Sequence, residues 1–166
     1  MLKKTLIAAV LMLTAACAGN DKIIRYCPNV VITPAYSHVT RFYGQDIQYK
    51  VEIVGFEGYC RYNAKTEQTV AVIAPIFEVV RYSEIAGKNV EISYYANTSY
   101  NINKLMGRQP HSFRTEIEKR GEKVLVTGDE IEVRIPNDEP GYQINLEMAL
   151  TKKQLIYLVS SALPKK

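Results

Sequence analysis

Residues 47–53 read IQYKVEI, and the alternation in this stretch decides the fold class. Its apolar members fall at every second position: Ile47, Tyr49, Val51 and Ile53. A period of two is typical of a half-buried β-strand, because successive side chains of a strand point to opposite faces. We expect this strand to end near Gly55 and Gly58.

Three other stretches along the chain also predict strands. Residues 131–135 and 142–150 show the same alternation and predict two further strands. Residues 69–80 (TVAVIAPIFEVV) are apolar at nearly every position, which favours a central strand covered on both faces. Pro75 lacks an N–H group, so it predicts an edge, a bulge or a kink there.

Weaker strand patterns occur at residues 90–96, 113–119 and 123–127. Between the last two, residues 120–122 (RGE) favour a tight hairpin turn. Some seven short strands, with no alternation between strands and helices, are typical of a β-sandwich. The predicted fold class is therefore all-β, an immunoglobulin-like β-sandwich.

A short C-terminal helix completes the prediction. Thr151 precedes KKQLIYLVSSAL, and threonine is a favoured N-cap because its hydroxyl accepts from a free N–H of the first turn. The helix should begin near Lys152.

The N-terminus has the layout of a secretory signal. Lys3 and Lys4 precede an apolar run, residues 6–13, that is shorter than the roughly 20 residues of a membrane-spanning helix. The run leads into LTAACAGN, where Cys17 follows small residues. This pattern resembles the bacterial lipoprotein signal, which implies that Cys17 is joined to diacylglycerol and becomes the first residue of the mature chain.

This interpretation divides the chain into a signal peptide (residues 1–16), a lipidated tether (17–25) and a folded domain (26–166). The alternative is an ordinary signal peptide cut after Ala16 or Ala18, with the cysteine incidental. The formal net charge of +4 includes Lys3 and Lys4, so the processed domain is only weakly basic. A basic patch of the kind that binds nucleic acid is not predicted.

Cys27 and Cys60 remain as a pair once Cys17 carries lipid. Because secretion exposes thiols to oxidants, we predict a structural disulfide between them. Two buried free thiols are the alternative. A metal site is less favoured, since His38 and His111 are the only possible nitrogen partners and no short paired ligand spacing occurs.

Four short segments together resemble one group of proteins. They are YCPNVVI at residues 26–32, VTRF at 39–42, IVGFEGYCRY at 53–62 and LTKKQLIYL at 150–158. In these the chain is similar to an uncharacterised group of small alphaproteobacterial envelope lipoproteins. The resemblance implies an envelope location and a fold, and it implies no reaction.

The sequence offers little for catalysis. His38 and His111 are the only histidines, neither lies in a nucleophile motif, and His111 in GRQPHS is expected in a solvated loop. The acidic pairs at residues 129–130 and 138–139 stand in turn-like settings, where carboxylates make local hydrogen bonds. We predict neither an enzyme nor a bound cofactor or metal.

One segment has an unusual composition, SYYANTSYNIN at residues 93–103. Its candidate glycan-binding residues combine aromatic rings and amides: Tyr94, Tyr95, Tyr100, Asn97 and Asn101. Rings can stack on sugars and amides can bond their hydroxyls, although the same residues could simply form an edge strand and its loop.

Taken together, these patterns favour a non-catalytic, lipid-anchored envelope protein that acts as a structural or protein-interaction module. The alternative is a carbohydrate-binding module acting on envelope glycan. The expected partners are a membrane, through the lipid, and another envelope protein. The expected location is the outer membrane, facing the periplasm.

Overall fold

The computed structural model describes residues 26–63, 65–66, 68–84, 87–101, 104–135 and 140–162. In these residues nine strands and one α-helix form. The strands are β1 (Asn29–Ile32), β2 (His38–Tyr43), β3 (Asp46–Asn63), β4 (Gln68–Arg81), β5 (Asn89–Tyr100), β6 (Lys104–Glu116), β7 (Lys123–Thr127), β8 (Ile131–Ile135) and β9 (Tyr142–Met148). The helix α1 is Lys152–Ala162, and a short 3-10 helix spans Pro34–Tyr36. The predicted signal peptide and tether, with Cys17, lie outside the described residues.

Two sheets form a sandwich. Sheet A has the order β1-β9-β5-β6, and sheet B has the order β2-β3-β4, with β7 and β8 both pairing with β4. All pairs are antiparallel except β1 with β9. The predicted all-β sandwich with a short C-terminal helix is confirmed.

The core lies between the inner faces of the sheets. Sheet B contributes Val51, Ile53, Phe77 and Val79, and sheet A contributes Ile92, Tyr94, Ile144 and Leu146, all at most 2% exposed. These residues follow the two-residue period of their strands, so the alternation in the sequence directly supplies the buried layer.

The apolar strand β4 is central, as predicted. It pairs with β8 over Thr69–Ile73 and with β7 over Ile76–Val80. Pro75 lies between these two pairings, and its carbonyl accepts a hydrogen bond from the Gly128 N–H at 2.8 Å. On this edge of β4 the hydrogen-bonded partner changes from β8 to β7 at Pro75. The missing proline N–H therefore interrupts neither pairing.

The predicted end of the first alternating strand is wrong, because β3 continues to Asn63. A register shift between Ile53 and Gly55 breaks the alternation without ending the strand. At Gly58 a Cβ atom would lie 2.6 Å from the Val72 carbonyl oxygen. This glycine therefore allows β3 and β4 to approach closely, and it is not a stop signal.

The predicted hairpin at residues 120–122 is also wrong. β6 pairs with β5 in sheet A, whereas β7 pairs with β4 in sheet B. The intervening segment therefore crosses from one sheet to the other, and the Gly121 N–H bonds the Arg81 carbonyl at 2.8 Å. Local turn composition could not reveal that the flanking strands join different sheets.

The predicted disulfide is present between Cys27 and Cys60, with the Cα atoms 5.8 Å apart. It joins the segment before β1, in sheet A, to β3, in sheet B. In the chain-entropy model, closing a loop of this length stabilises the fold by about 3–4 kcal/mol.

Thr151 begins the helix as predicted. The Gln154 N–H donates to Thr151 Oγ1 at 3.3 Å, and the Thr151 N–H donates to Gln154 Oε1 at 2.7 Å. This reciprocal pair is a capping box, which satisfies free donors at the helix start. No helix within the described residues has the length and apolar character needed to cross a bilayer.

Candidate functional site

The tyrosine segment lies in β5, a central strand of sheet A between β9 and β6. The alternation of the strand sends adjacent tyrosines to opposite faces. Tyr94 points into the core, where it is 1% exposed and its ring packs 5.3 Å from that of Phe77. Burial, with a smaller contribution from the charge of Asp129, raises the pKa of Tyr94 to about 12. Tyr94 is therefore a core residue and does not line a surface.

Tyr100 and Asn101 lie at the end of β5, away from the middle of the sheet. The Tyr100 ring packs on Tyr142 with centroids 4.9 Å apart. Asn101 has a φ of 49°, and its N–H bonds the Gly141 carbonyl at 2.9 Å. Gly141 has a φ of 106°, a backbone conformation that favours glycine, and a Cβ atom there would lie 2.6 Å from Asn101 Oδ1. Asn101 lines a cavity of about 530 Å³ beside the disulfide.

Tyr95 and Asn97 share the outer face of sheet A. Across the ladder to β9, Tyr95 faces Glu147 and Asn97 faces Asn145. On the other side, Asn97 faces Arg108 of β6. The structure thus brings together two of the predicted residues, and it adds three polar neighbours from adjacent strands.

Glu147, in β9, bonds side chains from β5 and from the residue that follows β1. Its Oε2 accepts from Asn97 Nδ2 at 2.7 Å, and its Oε1 accepts from Thr33 Oγ1 at 3.2 Å. Hydrogen bonds to a charged acceptor are stronger than neutral ones. The carboxylate therefore holds the Asn97 side chain in one orientation.

A second chain of hydrogen bonds continues along the same face. Gln143 Nε2 donates to Asn145 Oδ1, and Asn145 Nδ2 donates to Ser99 Oγ at 3.2 Å. All three side chains stand on the outer side of the strand pair β5–β9. The middle of this face is therefore a polar surface of amides and hydroxyls whose side chains orient one another.

The carbonyl oxygen of the Asn97 side chain is the exception in this network. Asn97 is 8% exposed, and its Oδ1 has no hydrogen-bond partner among the described residues. Leaving a buried acceptor unpaired costs about 1–3 kcal/mol. Glu147 therefore fixes the Asn97 side chain while its Oδ1 stays buried and unpaired among the described residues.

Arg108 lies over the ring of Tyr95, the neighbouring residue on this face. Its guanidinium carbon is 3.6 Å from the centroid of the Tyr95 ring, a cation–π contact. Arg108 is exposed and belongs to the edge strand β6. Because a long exposed side chain is mobile, its movement would uncover the ring of Tyr95 without disturbing the backbone.

A cleft of about 280 Å³ adjoins Tyr95. Its wall includes apolar and polar side chains from both sheets and the helix: Val39, Arg41, Tyr49, Ser93, Leu150 and Gln154. Tyr49 donates to the Glu91 carbonyl at 3.0 Å, and burial raises the pKa of Tyr49. The cleft offers hydroxyl, amide and guanidinium groups around an apolar floor.

The two histidines lie in different sheets, His38 in sheet B and His111 in sheet A. His38 is exposed on the outer face of sheet B, opposite Glu52. His111 lies in β6, and not in the predicted solvated loop, because an edge strand tolerates the neighbouring Pro110. Its ring stacks on Tyr94 at 5.3 Å, burial lowers its pKa, and its buried Nε2 finds no partner in the described chain.

No group of three or more histidine, cysteine or acidic side chains is close enough to hold a metal in the part of the chain that the structure describes. The acidic pair at residues 138–139 lies outside that part. Asp129 and Glu130 are in the irregular segment between β7 and β8, the turn-like setting that was predicted.

Sequence analysis missed the partners of Tyr95 and Asn97. Glu147 and Asn145 are the outward residues of an alternating strand, and alternation alone does not distinguish a solvated side chain from a bonded one. A signal did exist for Tyr94: it is in phase with Val90 and Ile92, the inward residues of the same strand. That phase would have separated it from Tyr95.

Comparisons with known proteins give no match: no protein-family model, curated protein or solved structure is similar to this chain.

Proposed function

We propose that this chain is a non-catalytic, lipid-anchored protein of the bacterial envelope that binds another envelope component through the outer face of sheet A. The observation that carries this proposal is the unpaired Asn97 Oδ1, fixed by Glu147 beside the ring of Tyr95. A surface completed by a ligand donor suits a binding module, and it requires no reacting group.

An envelope protein is the first candidate partner. Tyrosine and arginine are enriched among the residues that dominate protein interfaces, and here Tyr95 and Arg108 are already stacked. Glu147 adds an acceptor nearby. Because Asn97 Oδ1 is buried, a backbone N–H or a side-chain donor from the partner would pair with it only after neighbouring side chains move aside.

Envelope glycan is the second candidate, favoured by the cleft next to Tyr95. Its volume of about 280 Å³ lies just below the range of pockets for drug-sized ligands, so it suits one sugar ring. Ser93 and Gln154 supply groups that can bond hydroxyls, and the ring of Tyr95 supplies a stacking surface. A glycan chain running from the cleft across Tyr95 would reach Asn97.

The lipid anchor brings this surface to the envelope. Acylated Cys17 would be followed by a tether of residues 17–25, which spans at most about 30 Å when extended. More than one acyl chain gives firm attachment. We place the protein in the outer membrane, with its domain in the periplasm.

Labelling with a fatty-acid analogue tests the anchor. The natural chain should take up label, and a Cys17→Ser variant should take up none. Label on the Cys17→Ser variant would contradict acylation at this residue.

Site-specific photo-crosslinking in cells tests the surface and identifies the class of partner. A photoreactive phenylalanine analogue at position 95 should form adducts, and the same group at Tyr59, on sheet B, should not. Protein adducts would support the first candidate and glycan adducts the second. Equal yields at the two positions would contradict the proposed surface.

A further inference from the structure

The side of the sandwich formed by β1 and β2 carries features that the binding face does not use. β1 is an edge strand of sheet A, and β2 is an edge strand of sheet B. The two strands follow each other in the chain, with β1 near β3 and β2 near β9. The segment that precedes β1 leads to the proposed tether, so this side is connected to the anchor.

Helix α1 packs on the same side of the sandwich, against the end of β2. The ring of Tyr157 packs 4.9 Å from that of Phe42 in β2, and Lys153 Nζ donates to the Gly44 carbonyl at 3.3 Å. The polar Gln154 is the buried residue, with 8% exposure. The half-buried Leu158 lies on the same face, near Leu150. The helix therefore docks on the sandwich with a mixed face of polar, aromatic and aliphatic side chains.

The opposite face of the helix is apolar and exposed. Leu155, Ile156 and Val159 are 41%, 60% and 56% exposed, and their spacing puts them on one face. Together these three side chains leave apolar surface in contact with water. Burying that surface against another molecule would be favourable.

The positive charge of this part of the chain points to an anionic lipid surface as what buries the apolar face of the helix. Residues 148–166 contain four lysines and no aspartate or glutamate. Lys152 stands at the start of the helix, one turn before Leu155 and Ile156, whereas Lys153 points toward β2 and bonds the Gly44 carbonyl. Basic residues with an adjacent aliphatic face are the pattern of helices that lie in the interface of a membrane, and each lysine near an anionic surface adds about 1 kcal/mol.

Exposed tyrosines follow this side from the tether to the helix. Tyr26 precedes β1, Tyr36 lies between β1 and β2, and Tyr43 ends β2 beside the helix. They are 44%, 41% and 62% exposed. Tyrosine is enriched at membrane interfaces, because its ring enters the apolar region while its hydroxyl stays hydrated.

We propose that the β1–β2 side, with the outer face of α1, rests on an anionic lipid bilayer. The inference rests on the proposed anchor, which would bring this side to a membrane. In this orientation the strands lie along the bilayer, the helix contacts it at one end and the tether enters it at the other. The outer face of sheet A stays open to a partner.

The natural chain contains no tryptophan, so a single one reports its own position. We would place tryptophan in the full chain by Ile156→Trp, with Tyr43→Trp as a second position on this side. The matched control is Leu125→Trp, on the outer face of sheet B, where the leucine is 68% exposed. Because all three sites are exposed, the variants should fold.

Each variant is mixed with vesicles of phosphatidylethanolamine and phosphatidylglycerol, with and without brominated acyl chains. Tryptophan at positions 156 and 43 should shift its emission to the blue and be quenched by the bromine several-fold more than tryptophan at 125. The contact at 156 should weaken when phosphatidylglycerol is omitted or salt is raised, because lysine attraction is screened.

Three results would overturn the proposal in different ways. Equal responses at 156 and 125 in chains bound to vesicles would reject the lipid-facing side and leave the anchor intact. A chain that does not bind vesicles at all would reject both. A blue shift at 156 that depends on protein concentration without vesicles would show that a second copy covers the helix, which also overturns the lipid contact.

Discussion

The outer faces of the two sheets are built in opposite ways. On sheet B, four outward residues of β4 are apolar and at most 9% exposed: Val70, Val72, Ala74 and Val80. Tyr59 and Glu132 flank Val72, and Arg61 pairs with Glu132. Sheet B therefore covers its own outer face with long side chains, whose stems exclude water from the valines.

Sheet A instead presents a polar network with one acceptor left over. Asn97 and Glu147 are bonded to each other, yet Asn97 Oδ1 has no partner in the described residues. The outer face of sheet B therefore adds to the stability of the fold. Under the proposed function, the outer face of sheet A is the one that binds a partner.

The largest expected effect is on sheet B. A Val72→Asp substitution puts a carboxylate at a site that is 3% exposed and next to Glu132. An unpaired buried charge should lower the free energy of unfolding by about 3–5 kcal/mol, measured by denaturant titration. A loss below about 1 kcal/mol would show that the outer face of sheet B is not closed.

Removing the disulfide tests the covalent link between the two sheets. The double variant Cys27→Ala/Cys60→Ala should lose about 3–4 kcal/mol of stability, because the unfolded chain regains the freedom of the closed loop. The melting temperature of the natural chain should fall to that of the variant on reduction. A natural chain whose melting temperature does not change on reduction would contradict this role.

A smaller stability change is expected on sheet A. Asn97→Ala removes the bond to Glu147 and also removes the unpaired acceptor, and these effects oppose each other. The free energy of unfolding should change by about 1 kcal/mol or less, while binding is lost. If stability fell as far as in Val72→Asp, Asn97 would be a structural residue and the two faces would not differ.

The smallest effect at neutral pH concerns Tyr94, between the two sheets. Its pKa is raised to about 12, so the folded state keeps the phenol proton up to a higher pH than the unfolded state, in which tyrosine has its ordinary pKa of 10.0. This contribution to stability is complete below pH 10 and is lost as the pH rises from 10 toward 12. Tyr94→Phe should therefore lose less stability than the natural chain over this range. Parallel curves would contradict the inward position of Tyr94.

Alternation in the sequence predicted the strands of the core because burial selects apolar residues at every second position, as in residues 47–53. It could not predict partners. The segment between β6 and β7 resembles a hairpin turn, yet it joins two sheets, since local composition does not specify long-range pairing. β3 also passes through Gly55 at a register shift that a simple period does not describe.

The candidate site shows the same limit. Composition found Tyr95 and Asn97, but it also selected Tyr94, Tyr100 and Asn101, which the fold sends to the core or to the end of the strand. The partners Glu147 and Arg108 are distant in sequence and become neighbours only through the pairing of β5 with β9 and β6. The Cys27–Cys60 pairing was predictable because, once Cys17 is assigned to the lipid, the two remaining cysteines allow only one intramolecular bridge.

The most direct test compares one tyrosine from each outer face. Purified Tyr95→Ala and Tyr59→Ala chains would be mixed with an isolated envelope fraction that holds both proteins and cell-wall glycan, and the bound fraction would be measured beside that of the natural chain. We predict that Tyr95→Ala loses binding and that Tyr59→Ala retains it. Retained binding in Tyr95→Ala, or equal loss in both variants, would contradict the assignment of the binding surface to sheet A.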